Sequence, residues 1–202
     1  MTHRLRKIDA FKTSSCLFLC GILLLCLVKA SLAAQDQDSH IARRLRAGLD
    51  LFPSFLAADL HIKDKLDKKG YLILYVVHHN DKRTAQKIAS KLLDIKAIKG
   101  APLKVIIVRD DYDDLQSYEP AAIFIAQPQL PHLPAIVNYG KQKSIITFSP
   151  FVGDVNLGVT GSISVTARIL PQVNMTTLGD SKLNLKPFFL RIASRYPEVE
   201  IN

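Results

Sequence analysis

The amino-acid sequence predicts an α/β fold: a single three-layer domain with a mostly parallel sheet, an antiparallel edge near the C-terminus and flanking helices. Three observations predict it. Between residues 71 and 148, short apolar runs alternate with polar, helix-spaced segments, the rhythm of parallel strands joined by right-handed crossovers. Those runs are apolar at successive positions, as strands buried on both faces are. Beyond residue 160 the pattern becomes a strict alternation, the mark of a strand with one exposed face.

The elements follow in order. In IARRLRAGLDLFPSFLAADL (41–60), Ile41, Leu45, Leu49, Phe52, Leu56 and Leu60 fall at helical spacing, and Pro53 should kink or divide that helix. HIKDKLDKKG (61–70) reads as a solvated, lysine-rich connection. YLILYVV (71–77) is the first buried strand. Residues 81–98 form a helix with Ala85, Ile88, Ala89, Leu92 and Leu93 on one face, Asp81 as N-cap, and Gly100 and Pro102 past its end. LKVIIV (103–108) and AAIFIA (121–126) are the next strands, separated by the acidic loop RDDYDDLQSYEP (109–120) with a short helix in it. PQLPHLPAIVNYG (128–140) gives a loop and a helix, and KSIITF (143–148) the fourth strand.

GSISVTARILPQVNM (161–175) points Ile163, Val165, Ala167 and Ile169 one way and Ser162, Ser164, Thr166 and Arg168 the other, with Pro171 placing it near an edge. TTLGDSKL (176–183) is a short helix capped by Thr176. LKPFFLRIASRY (185–196) is a terminal helix with Pro187 in its first turn and Phe188, Leu190, Ile192 and Ala193 turned inward.

Ahead of this domain, His3, Arg4, Arg6, Lys7 and Lys12 precede the apolar run CLFLCGILLLCLV (16–28), and Ser31 and Ala33 fit positions −3 and −1 of a signal-peptidase site. The run is shorter than the ~20 residues that span a bilayer. The expected organisation is a cleaved Sec-type signal peptide at 1–33 and one periplasmic α/β domain at 34–202. Cys16, Cys20 and Cys26 all fall in the leader, which excludes disulfides, zinc thiolate sites and cysteine nucleophiles from the mature chain. Residues 1–33 carry five Lys/Arg and one Asp, so their removal takes the formal charge from +9 to +5. That is a moderate charge, not a nucleic-acid footprint, and no nucleic-acid partner is expected.

SIITFSPFVGDVNLGVTGSISVTARILPQVNMTTLGDSKLNLKPFFLRIA resembles the end of YfiR-like periplasmic proteins, over roughly residues 140–194. In that family a strand resembling SIITFS leads through a glycine-containing loop to a further pair of strand segments. A strand ending like PQVNM, a short helix and a helix resembling LKPFFLRIA then close the domain. The resemblance implies a small periplasmic regulator, non-enzymatic and often a homodimer. Such a protein binds the periplasmic part of an inner-membrane diguanylate cyclase, lowering cyclic-di-GMP signalling and biofilm formation. Redox-sensitive disulfides figure in that group, and the cysteine-free mature chain departs from it there, which rules out thiol-based sensing.

Candidate chemistry gathers after the first two strands. His78 and His79 follow the first, and Asp110, Asp111, Asp113 and Asp114 follow the second. In a parallel sheet both loops open at the carboxyl edge, where imidazole and carboxylate together suit a divalent metal or acid–base work. Adjacent histidines on an extended segment point to opposite sides, so at most one enters a shared site unless the turn curls. Polar residues are also what loop ends require. The ligand-binding candidates are therefore His78, His79, Asp110 and Asp111; no cofactor and no metal set is assigned.

GDVNLGVTG (153–161) leads into a strand, so its three glycines read as turn geometry rather than a phosphate cradle. No nucleophile elbow, HExxH or paired catalytic carboxylate motif is present, and no catalytic residue is expected. Two surfaces remain: the basic stretch of Arg43, Arg44, Arg46, Lys63, Lys65, Lys68 and Lys69, and the rigid loop of Pro128, Leu130, Pro131, Leu133 and Pro134. The first functional expectation is a non-enzymatic periplasmic protein that binds and modulates an inner-membrane or other envelope partner. The alternative is a periplasmic small-ligand or metal-binding protein using the carboxyl-edge loops.

Overall fold

A computed structural model describes residues 39–111 and 118–197. The expected signal peptide, Asp113, Asp114 and the core of the 109–120 loop lie outside these residues. The chain divides after Arg43, and the described part of the second, compact unit runs from residue 44 to residue 197.

Helix α1 (39–58) leads through a 3-10 turn (Ile62–Lys65) to strand β1 (Leu72–His78). Helix α2 (Lys82–Leu93), the two-residue β2 (Ala97–Ile98), β3 (Ala101–Arg109) and β4 (Ala122–Ile125) follow. Helix α3 (Leu133–Gln142), β5 (Ile146–Phe148), β6 (Gly161–Val165) and β7 (Ile169–Asn174) come next. Two short helices, α4 (Met175–Asp180) and α5 (Pro187–Ile192), and β8 (Ser194–Tyr196) close the chain.

The strands make one mixed sheet in the order β2-β3-β1-β4-β5-β6-β7-β8. From β3 to β6 every neighbouring pair is parallel. The antiparallel pairs are β2 with β3 and β6 with β7, and β8 lies parallel to β7. This is the three-layer α/β fold that the alternating pattern predicts. All seven residues of β1 are buried, as a central strand covered on both faces must be.

Two cores cover the two faces. Leu72, Leu74 and Val76 join Phe52, Phe55 and Leu56 of α1 and Ile88 and Leu92 of α2 in one cluster. Its centre is aromatic: Phe52 meets the Phe124 ring edge-on at 5.2 Å, and Phe55 meets Phe148 at 5.1 Å and Phe189 at 4.9 Å. Ile73, Tyr75 and Val77 alternate to the opposite face. There Ile123 and Ile125 lie beside them in register, and α3 comes close enough that a Cβ on Gly140 would sit 2.6 Å from Thr147 Cγ2. Among the described residues no helix is long and apolar enough to cross a membrane.

Several elements differ from expectation, each for a local reason. Helicity runs through Pro53 without a break, held by the burial of Phe52, Phe55 and Leu56 around it. Helix α2 ends at Leu93 because the next residues fold into a tight hairpin, with Lys99 and Gly100 at φ 49° and 82°. Positive φ at both central residues is what a two-residue type I′ connection demands. The alternating segment 161–175 is a hairpin of two strands, its loop drawn closed by the bond from Thr166 N to Arg168 O at 3.1 Å. Asn174, not Thr176, caps α4, accepting from Thr177 N at 2.9 Å.

The terminal helix stops at Ile192, and Ser194–Tyr196 pairs with β7 instead. Phe189 is the buried residue of α5 and Leu190 and Ala193 pack against the core as expected, whereas Phe188 and Ile192 are exposed. Pro171 lies just before the stretch of β7 that pairs with β8, where no donor is needed on that side.

Candidate functional site

Strand β1 lies between β3 and β4, so the connections leaving β1 and β3 run to opposite sides of it. The carboxyl ends of β1 and β4 thus form the topological switch point, where open α/β sheets place their ligands. Three loops converge there.

The loop after β1 is held by one side chain. Gln127 Oε1, just past β4, accepts from the backbone N–H groups of His79 at 2.9 Å and of Asn80 and Asp81 at 3.2 Å each. Its Nε2 donates to Asn80 Oδ1 at 3.2 Å. Asp81 then caps α2 by accepting from Thr84 N at 2.9 Å.

The loop after β3 brings Asp110. Its N–H donates to His78 O at 2.9 Å, extending the strand ladder by one residue and fixing the side chain beside β1. The carboxylate is fully buried: Oδ1 accepts from His79 Nδ1 at 2.9 Å and Oδ2 from His132 Nδ1 at 3.1 Å. His132 N–H adds a longer bond to Oδ2 at 3.4 Å. Burial works to raise this carboxyl, but the hydrogen bonds from His79 and His132 outweigh it and hold the group below the usual carboxylate range. A carboxylate only accepts, so each Nδ1 carries the proton in these bonds.

His132 arrives on the third loop, at the N-cap position of α3. Leu130 and Leu133 on either side of it are 4% and 1% exposed. The proline-rich loop is therefore a cover for the sheet, pinned by two leucines, with the intervening imidazole left near the surface. The rings of His79 and His132 are 35% and 53% exposed, with centroids 6.4 Å apart. One donor atom from each of His79, Asp110 and His132 lies within 4.8 Å of the others.

Of the four sequence candidates, the structure brings together His79 and Asp110. His78, the last residue of β1, is buried and is not among the three clustered donors, and its Nδ1 finds no hydrogen-bond partner among the described residues. Burial, with the positive charges of Arg109 and Lys82, lowers its pKa, which suits a neutral ring. Asp111 is half-exposed and lies 3.4 Å from Arg109 Nε. His132 is the member that sequence reasoning missed, although it sits on the third carboxyl-edge loop of the same strand rhythm.

Elsewhere the polar clusters are structural. Buried Asp59 takes Lys65 Nζ at 2.7 Å and His61 N at 2.9 Å. Of the three glycines in 153–161, Gly153 and Gly158 have φ of 90° and 99° and serve turns. Gly161 opens β6, where a Cβ would stand 2.7 Å from Phe55 Cε1. A cavity of about 650 Å³ at the amino edge of the sheet mixes Lys68, Lys69, Lys104 and Lys143 with Asp64, Asp67 and Glu119. Its charges have no common focus, and Lys143 already lies 3.4 Å from Glu119.

No family model matches the chain, and no curated protein matches it significantly. Among solved structures it is similar to a conserved domain protein of Vibrio cholerae, with 13% identity, a TM-score of 0.48 and 65% of this chain covered. It is also similar to an ABC domain of Streptococcus pneumoniae in complex with L-Trp, with 9% identity, a TM-score of 0.45 and 70% of this chain covered. The chain spans 57% and 60% of those two proteins.

Proposed function

We propose that this protein is a non-enzymatic binding protein of the bacterial periplasm whose ligand seat is the carboxyl edge of the sheet, where His79, Asp110 and His132 follow β1, β3 and β4. The observation that carries the reading is the shared Asp110 carboxylate, fully buried yet flanked by two part-exposed imidazoles from separate loops. A buried charge costs stability unless it is well satisfied. Here three loops spend their polar groups on that single carboxylate at the switch point, while Gln127 fixes the loop that delivers His79. Pre-formed, convergent polar groups of this kind characterise binding sites.

A thermal-shift screen of the purified protein against amino acids, small carboxylates, nucleotides and divalent cations tests the reading. At least one compound should raise the melting temperature of the wild type and of His61→Ala but not of His79→Ala. A screen without such a compound would count against a carboxyl-edge ligand.

A second reading, binding and restraint of an inner-membrane diguanylate cyclase, is favoured by a different observation. Val165 and Ile169 face each other across the β6–β7 hairpin and are 45% and 52% exposed. They lie within the segment that resembles YfiR-like proteins, and an exposed apolar pair at a hairpin end suits a protein partner. Charge substitutions at both positions should abolish co-purification of the cyclase while leaving the fold intact; unchanged co-purification would remove this support.

A further inference from the structure

We infer that His79, Asp110 and His132 form a reversible site for a borderline divalent transition-metal ion of the zinc class, with at least one coordination position open to solvent. The inference rests on reading the carboxyl-edge cluster as a ligand site and names the ligand.

The donor set decides the class. Two imidazole nitrogens and one carboxylate oxygen suit zinc and its first-row neighbours, whereas calcium and magnesium prefer all-oxygen shells. Three protein ligands also leave a tetrahedral ion one position short, the pattern of zinc sites that exchange an external ligand.

The geometry is close to what such an ion needs. With metal–ligand bonds of about 2.0–2.2 Å, two ligands of a tetrahedral ion stand roughly 3.3 Å apart. The Nδ1 atoms of His79 and His132 already lie 2.9 and 3.1 Å from the two Asp110 oxygens. The three donor atoms fall within 4.8 Å of one another, so rotation of the half-exposed His132 ring closes the set. The backbone that carries each ligand is already held in place. Asp110 is locked by its N–H to His78 O, His79 by Gln127, and His132 by the buried leucines beside it.

The proton balance is simple. In the metal-free cluster each Nδ1–H donates to the carboxylate. For the ion to take both Nδ1 lone pairs, each ring must carry its proton on Nε2 instead, the other nitrogen of an imidazole exposed enough to exchange with water. The ion replaces two hydrogen bonds with three coordinate bonds, two from the rings and one from the Asp110 carboxylate, and the tautomer change itself releases no proton. The sequence pattern pointed to His79 and Asp110 but not to the third donor, which lies inside a proline-rich cover loop.

Isothermal titration of the purified protein with zinc chloride, free of chelators, is the direct test, paired with nitrogen-15 spectra of the histidine rings. The wild type should bind one ion at this site, and the His79 and His132 rings should change from the Nδ1–H to the Nε2–H tautomer. His132→Ala, a change at a half-exposed ring that leaves the buried Asp110 and the part-exposed His79 in place, should weaken binding on the order of 100-fold or more, since loss of even an outer-shell partner costs about 10–100-fold. His61→Ala, which removes an exposed imidazole beside Asp64, should leave affinity unchanged. Equal affinity in wild type and His132→Ala would place the ion elsewhere and overturn the inference. If zinc fails to bind while another compound still stabilises the wild type and not His79→Ala, the metal is wrong and the carboxyl-edge site stands. If neither zinc nor any compound binds through these residues, both fall.

Discussion

Nδ1 of His132 lies 3.1 Å from Oδ2 of Asp110, tying the cover loop ahead of α3 to the end of β3 across a sequence separation of 22 residues. Because the other oxygen of that carboxylate binds His79, one buried charge fastens three loops at the switch point of the sheet. The consequences reach beyond the site to the elements that hold it.

Gln127→Ala removes the acceptor of three backbone N–H groups, those of His79, Asn80 and Asp81. These groups sit near water, so solvent recovers part of the loss, and the expected cost is about 1–2 kcal/mol. Urea denaturation checks the stability. Amide exchange should accelerate at residues 79–81 while the β1 amides stay protected; uniform protection would show that Gln127 does not hold the loop.

Gly161→Ala puts a methyl group 2.7 Å from Phe55 Cε1 and 3.1 Å from Phe148 Cδ2. Both rings are fully buried in the aromatic core and cannot retreat freely. Overpacking of this kind costs about 1–3 kcal/mol. The substitution should lower the thermal midpoint and alter the near-ultraviolet circular dichroism of the aromatic rings.

Lys65→Met takes from the Asp59 carboxylate, 0% exposed as a residue, the ammonium that binds it directly, leaving it the His61 N–H and a Lys99 ammonium held on the Asp59 backbone carbonyl. Removing one partner of a buried pair costs roughly 3–5 kcal/mol. Asp59→Asn combined with Lys65→Met removes the orphaned charge and should recover much of that loss. Chemical denaturation of the two variants gives the difference; equal stability of single and double variants would contradict a buried-charge penalty.

Asp154 sets a pH dependence. Burial raises its pKa, against the lowering effects of the Ser149 hydroxyl, which donates at 2.5 Å, and of the Arg44 charge. A carboxyl whose folded pKa exceeds its unfolded value of ~3.9 binds its proton more tightly in the folded state. Its contribution to stability therefore falls as pH rises from the unfolded value through the folded one, and is constant above. Asp154→Asn should be more stable than the wild type at about pH 7, with the gap closing towards about pH 3, where both carry a neutral side chain. Denaturation at the two pH values checks the sign.

The fold was legible because its signal is hydrophobic and local: β1 is apolar along its length since both faces are covered, and Asp81 announces α2 by capping it. What escaped the sequence depends on partners distant in the chain. Residues 194–196 read as helix until β7 offers them a pairing partner, and the 161–175 strand divides only because its halves pair with each other. Gly161 reads as a turn glycine, while its smallness serves a ring more than a hundred residues earlier. At the site, strand alternation correctly warned that His78 and His79 would part company. It could not supply His132, whose role follows from the crossover that brings the loop after β4 back beside β1.

The most direct test of the central claim is anomalous diffraction from crystals of the protein soaked in cobalt(II), a spectroscopic stand-in for zinc. A single strong peak is expected about 2.0–2.2 Å from a ring nitrogen of His79, a ring nitrogen of His132 and an oxygen of Asp110. Crystals in which the Asp110 carboxylate keeps both histidine hydrogen bonds, with no peak at the carboxyl edge, would contradict it.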